Sequence, residues 1–322
     1  MLQYIVILLD DTCPSFCHYD VERSERYLMP LETLKEGIRW SMKENLMIQF
    51  VFPDYSLPEK YIEAIESIDH FKFYPSLSST SDEAEVLIYN GVSEILLKDE
   101  LPFKVSVLRL AKAELFENYE AIKELFTKVP KLNLIITDVD TFGKEDFDRY
   151  KTILTMFADA LAVQICADEQ VQLNVLTDRM LLCSINECGA GSSSITLAPD
   201  GKFYICPAFY QSPKESETAL EKTFAVGSLT GGLNIKNKQL YDIDHAILCR
   251  NCDAYQCRRC VWLNRKTTWE VNTPSHEQCV VAHLERNTSR YLIEKIKEVR
   301  PDVPVKEIKE VDYLDPFDIL KI

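Results

Sequence analysis

The first half of the chain repeats one rhythm. A short apolar run is followed by a longer stretch with apolar residues every three or four positions. Residues 4–9, YIVILL, are apolar throughout, which predicts a strand buried on both faces. Pro30 opens a helix with Leu31, Leu34, Ile38 and Met42 on one face. Residues 46–52 predict a second strand, and 58–68 a helix with Tyr61, Ile62, Ile65 and Ile68 as its stripe. Short strands are predicted at 71–74, 86–89 and 94–97. The alternation continues with a strand at 105–110, a helix at 113–129, a strand at 132–137, a helix at 145–163 and a strand at 171–176. Repeated strand–helix units specify a parallel sheet with covering helices, open or closing toward a barrel.

Near residue 180 the rhythm stops. Gly189, Gly191, Gly201, Gly227, Gly231 and Gly232 all lie beyond it, and only Gly37, Gly91 and Gly143 precede it. Residues 197–206, LAPDGKFYIC, read as a hairpin turning at Asp200 and Gly201. A last helix is predicted at 287–299, striped by Leu292, Ile296 and Val299, and the tail after Pro301 is expected to pack as an arm. The expected regions are therefore 1–180, 181–285 and 286–322.

Composition narrows the function classes. A chain of 322 residues with 46% hydrophobic and 27% charged content is an ordinary globular protein. Its net charge of −15 argues against nonspecific nucleic-acid binding, which needs clustered Lys and Arg. No apolar run approaches the roughly 20 residues of a membrane span. The start lacks the basic segment and cleavage site of a signal peptide. The expectation is a cytoplasmic protein whose thiols stay reduced. Eleven cysteines could instead suggest a disulfide scaffold, but such scaffolds are short and secreted.

Seven cysteines fall between residues 188 and 279: Cys188, Cys206, Cys249, Cys252, Cys257, Cys260 and Cys279. Four of them form C-x2-C-x4-C-x2-C over residues 249–260. Each C-x2-C pair puts two thiolates on one turn, so the run can supply a four-cysteine zinc or most ligands of an iron–sulfur cluster. The other three cysteines would be unexplained by one zinc. Between Cys249 and Trp269 lie Arg250, Arg258, Arg259, Arg265 and Lys266 against Asp253 alone. That basic stretch reads as stabilising a negative cluster, as a solvated face, or as a dock for an acidic peptide leader.

The order of these cysteines resembles the SPASM region of radical SAM peptide and protein maturases. The resemblance covers roughly residues 183–285; the family's usual central spacings are x2, x5 and x3, so two intervals here are one residue short. After the first strand, residues 11–20 (DTCPSFCHYD) resemble the loop where that family carries C-x3-C-x2-C. Here the positions are Cys13, Cys17 and Asp20, so the third thiolate is a carboxylate. The family's Gly-Gly-Glu stretch after strand two is replaced by residues 50–55, FVFPDY. The opening and the stretch 252–262 look like the CXXX repeat peptide maturases of bacterial peptide-modifying systems.

The resemblance implies a fold and a set of ligands. The fold is α/β: a partial (β/α) barrel like the radical SAM core, then a small cysteine-rich SPASM-like metal domain. Cys188, Cys206 and Cys260 would hold one auxiliary 4Fe–4S cluster, with Cys183 a candidate fourth ligand. Cys249, Cys252, Cys257 and Cys279 would hold the other. Cys13, Cys17 and Asp20 are the degenerate counterpart of the S-adenosylmethionine cluster site, and firm S-adenosylmethionine binding is not expected there. The implied function is maturation of a ribosomally made, cysteine-repeat precursor peptide, by a maturase or by an accessory subunit beside a companion radical SAM enzyme. The alternative is a zinc-stabilised, non-catalytic scaffold. No catalytic residue is assigned. Cys166 reads as a small buried hydrophobe, His18 as a turn residue, and His276 or His283 as possible entrants to a metal site. Asp10, Asp11, Asp138 and Asp140 follow strand ends and are expected to be solvated.

Overall fold

The computed structural model describes residues 2–78, 81–97, 104–212 and 224–309. The tail from residue 310 lies outside the described residues. In chain order the elements are β1 (Tyr4–Leu8), α1 (Leu31–Lys43), β2 (Met47–Val51), α2 (Glu59–Ile65), β3 (His70–Pro75), β4 (Val86–Asn90), α3 (Val92–Leu96), β5 (Val105–Leu110), α4 (Lys112–Glu124) and β6 (Lys131–Ile136). They continue with α5 (Lys144–Cys166), β7 (Gln172–Leu173), α6 (Asn174–Leu181), β8 (Ser194–Leu197), β9 (Lys202–Tyr204), α7 (Ala208–Gln211), β10 (Ala225–Ser228), β11 (Gly232–Leu233), α8 (Val261–Thr268) and α9 (His276–Val299). The chain divides into two compact units: Met1–Ile88 with Gly189–His245, and Tyr89–Cys188 with Ala246–Ile322.

The first unit is built around β1. That strand pairs in parallel with β2 on one side and β8 on the other, and β3 and β4 extend the parallel order. Ile5, Ile7 and Leu8 have no exposed surface, as a strand covered on both faces requires. The hairpin expected at Asp200 and Gly201 is present: β8 and β9 pair antiparallel, Leu197 opposite Phe203, and Gly201 turns at φ +75°. Helix α1 lies close on this sheet. A Cβ at Gly37 would come within 2.4 Å of the Leu197 side chain, and Trp40 packs on Phe203 at 4.6 Å between ring centroids. Met42, expected on the buried stripe, is exposed.

The second unit carries the parallel strands β5, β6 and β7, with α5, α6 and α9. Three expectations change here. Residues 94–97 are helical rather than extended. Gly91 turns at φ +101°, Glu114 accepts the Val92 N–H at 2.6 Å, and α3 starts. The strand at 171–176 ends after Leu173. There the Asn174 side chain takes over the ladder, accepting from Leu134 N–H and donating to Leu134 C=O, while its backbone enters α6. The final helix begins eleven residues early, at His276, because Ser275 caps it by accepting the Gln278 N–H. Leu292 and Ile296 are buried as expected, and Val299 is exposed.

Helices α5 and α9 are joined by a buried polar pair, in which Tyr150 donates its hydroxyl to Glu285 at 2.8 Å. Burial pushes the Glu285 carboxyl from its ordinary 4.5 to about 7, although the bonds from Tyr150 and Gln256 act the other way. The folded state therefore holds a proton that the unfolded state releases between those values. Stability from this group is greatest below about pH 4.5 and is lost as pH rises through about 7. Glu285→Gln keeps an acceptor for Tyr150 and removes the titration. Its stability relative to the parent should rise by about 2–3 kcal/mol between pH 5 and pH 8. Parallel denaturant melts check this, and a difference independent of pH would contradict the assignment.

Candidate metal centre

The cysteine segment is a chain of tight turns. Cys249 N–H donates to Ala246 C=O at 2.9 Å, Cys252 N–H to Cys249 C=O at 2.9 Å, and Cys257 N–H to Ala254 C=O at 3.0 Å. Facing them is the first part of α9, where Cys279, Ala282 and His283 share a face at the spacing of one helical turn. Together they border a cavity of about 270 Å³. Cys249, Cys252, Cys257, Cys279 and His283 all line it, with the apolar side chains of Ile185 and Leu248. A liquid water occupies about 30 Å³, so the space far exceeds one ion. Four zinc-bound sulfurs would lie at most about 4.6 Å apart, twice a 2.3 Å bond. Among the described residues, no three His, Cys, Asp or Glu side chains converge as a single metal ion would require. The thiols ring a volume instead of meeting at a point.

A buried carboxylate fixes this loop. Asp253, between Cys252 and Ala254, has no exposed surface. Arg286 reaches it at 3.0 Å and Arg290 at 2.6 Å from α9, and Arg179 at 3.5 Å from α6. Arg179 also donates to the Asp253 backbone carbonyl at 3.0 Å. Burial alone would raise the Asp253 pKa, but Arg286 and Arg290 hold it below the usual carboxylate range. A second pin is Arg259, buried in a left-handed backbone at φ +44° and paired with Glu187.

The remaining basic residues are mostly engaged as well. Arg258 pairs with Asp178 at 3.7 Å, Lys266 with Asp140 at 2.8 Å, and Arg265 stacks over Trp269. The stretch read from sequence as an excess of positive charge is largely neutralised by its partners. Asp138 and Asp140, expected in solvent, are half-buried, and Asp138 accepts the Lys112 N–H at 2.8 Å.

The thiols themselves are desolvated. Burial pushes Cys249 up to about 11 and Cys257 up to about 12, so both are protonated at neutral pH, and a metal bound there would have to displace the protons. Cys252 accepts the Ala254 N–H at 3.5 Å, and its sulfur lies 3.6 Å from Nε2 of His283. His283 was one of two histidines noted beside Cys279; the other, His276, pairs at the surface with Glu277 at 3.7 Å. The sequence did carry the signal for placing His283: Ser275 and Gln278 have the spacing of a helix-capping box. A helix started there puts Cys279 and His283 on one face.

The other predicted ligands lie elsewhere. Cys260 is buried at the start of α8, Cys188 is half-buried, and Cys183 is exposed. Cys206 belongs to the first unit, near Tyr241. Cys166 is half-buried at the end of α5, not enclosed.

In the first unit, the loop after β1 is a closed polar network. Cys13 is fully buried, donates its thiol to Val51 C=O at 2.9 Å and accepts the Asp10 N–H at 3.3 Å. Burial drives its pKa far above that of an ordinary thiol. Asp10 and Asp11, expected to be solvated, are buried. Asp10 accepts from Tyr55 at 2.8 Å; Asp11 accepts from Tyr210 at 2.5 Å and Arg23 at 2.7 Å. Gln211 donates to the Cys13 carbonyl at 2.9 Å. Cys17 is half-buried and Asp20 exposed. Where the sequence lacks Gly-Gly-Glu, Phe50 and Phe52 are buried and Phe52 stacks on Tyr74 at 4.1 Å.

Solved structures share this architecture. The chain matches anSMEcpe with bound AdoMet over 92% of its own length and 96% of that chain, at a TM-score of 0.56 and 13% identity. Against anSMEcpe with bound AdoMet and Cp18Cys peptide the figures are 92% and 100%, at 0.55 and 11% identity. The chain has the mixed α/β fold of these structures, with a large parallel sheet. No family model and no curated protein matches it. Among the described residues, no helix is long and apolar enough to cross a membrane.

The two cysteine sets read from the sequence differ in fit. Cys249, Cys252, Cys257 and Cys279 supply four thiols around a space larger than an ion, and they fit an iron–sulfur cluster. Cys13, Cys17 and Asp20 do not fit one. The Cys13 thiol is turned into the strand and bonded there, and Asp20 is exposed.

Asp253 gives the sharpest test of the loop. Removing its charge takes a buried ionic partner from Arg179 and Arg286, which costs about 3–5 kcal/mol. Asp253→Ala should lower the melting temperature and speed proteolysis within residues 246–268. An unchanged melt would show that the arginine cage does not hold the cysteine segment.

Proposed function

We propose that this protein is an accessory SPASM-type subunit in the maturation of a ribosomally made, cysteine-repeat peptide. It works in the cytoplasm beside a companion radical SAM enzyme, which performs the cleavage of S-adenosylmethionine. The observation that carries the reading is the contrast between its two cysteine sites: four thiols line one cavity, while the Cys13 thiol is spent on a strand carbonyl. The likeness to anSMEcpe captured with a peptide adds support for a peptide partner.

Cys249, Cys252, Cys257 and Cys279 would hold one 4Fe–4S cluster, and Cys188, Cys206 and Cys260 a second with an open iron. A bound cluster supplies electron transfer and, where an iron is open, a docking point for a substrate thiol. The chain's own residues do the rest. Asp253 and its arginines hold the ligand loop, Arg259 and Glu187 set its exit, and Ile185 and Leu248 add apolar surface to the cavity. A zinc-stabilised scaffold is the competing reading. It is disfavoured by thiols that border a volume and do not converge.

Anaerobically reconstituted protein should carry about eight irons and eight acid-labile sulfides per chain, the content of two 4Fe–4S clusters. Cys257→Ala should lose about half. The same protein, reduced and given S-adenosylmethionine, should form no 5′-deoxyadenosine above background, because Cys13, Cys17 and Asp20 cannot hold the low-potential cluster that cleavage needs. Stoichiometric zinc without sulfide would overturn the cluster assignment. Robust 5′-deoxyadenosine, lost in Cys13→Ala, would overturn the accessory role.

A further inference from the structure

His283 is buried on α9, one helical turn beyond Cys279, and its Nε2 lies 3.6 Å from the sulfur of Cys252. It borders the same cavity as all four thiols of that site. An uncharged imidazole with its proton on Nε2 is a donor at this position. Cys252 already accepts one N–H, from Ala254. A side-chain donor adds to it from the opposite element, α9. Donation to a cluster-bound sulfur withdraws electron density from the iron and stabilises the more negative, reduced state over the oxidised one.

We propose that His283 is a positioning and tuning residue: it donates from Nε2 to the Cys252 sulfur and makes the cluster at Cys249, Cys252, Cys257 and Cys279 easier to reduce. The proposal rests on the iron–sulfur reading above. The step concerned is a one-electron reduction of the cluster, with the electron supplied by a chemical reductant and no proton moved.

The test uses the full chain, reconstituted anaerobically as parent, His283→Leu and His283→Gln. Leucine removes the donor and keeps an apolar side chain; glutamine keeps a side-chain N–H. Iron and sulfide content is measured first, then the cluster potential by spectroscopic titration with Ti(III) citrate at one pH. Iron and sulfide should be the same in all three proteins. The equilibrium constant for reduction should fall about tenfold in His283→Leu, about 59 mV for one electron, and stay within about threefold of the parent in His283→Gln. Full iron content with an unmoved potential in His283→Leu would overturn the tuning role. Loss of about four irons in both variants would overturn it too, by making His283 a ligand or a structural support. Parent protein with no acid-labile sulfide would instead overturn the underlying cluster assignment, whatever the variants did.

Discussion

One buried carboxylate sets the geometry of the cysteine site. Asp253 carries a full charge with no exposed surface, a state tolerated because Arg179, Arg286 and Arg290 surround it. Those arginines come from α6 and α9, so the charge cage ties the loop carrying Cys249, Cys252 and Cys257 to the helix carrying Cys279. Such a cage contributes little net stability compared with an apolar core. What it fixes is position. The thiols are arranged around a cavity.

That cage was hidden in the sequence. Asp253 looked like a lone acid in a basic stretch, because its partners are remote along the chain and no local pattern joins them. The same limit explains Asp10 and Asp11, which read as solvated acids. Their partners Tyr55 and Tyr210 lie far along the chain, and nothing around residue 10 announces them. Periodicity did reveal the strands β1, β2, β5 and β6, whose apolar runs need only to be buried. It failed where a side chain replaced backbone pairing, at Asn174, and where a cap outweighed a polar helix start, at Ser275. The cysteine spacing gave the ligand candidates themselves; the part of His283 needed the start of α9.

The loop after β1 is a closed polar network. It follows β1 and leads toward α1, and it carries Cys13 and Cys17. Cys13 donates to the Val51 carbonyl, Tyr210 bonds to Asp11, and Gln211 bonds to the Cys13 carbonyl. Buried polar groups in such a network are costly to release, since each lost bond leaves an unpaired atom. Freeing the Cys13 thiol would break its bond to Val51. In the second unit the polar bonds leave the thiols facing a cavity.

The central claim is that the cavity bordered by Cys249, Cys252, Cys257 and Cys279 is an iron–sulfur site. Anomalous diffraction at the iron and zinc edges, from crystals of the full chain grown without oxygen, locates the metal directly. The account predicts an iron signal inside that cavity, within bonding distance of all four sulfurs. A zinc signal at Cys249, Cys252, Cys257 and Cys260, with no iron in the cavity, would contradict it.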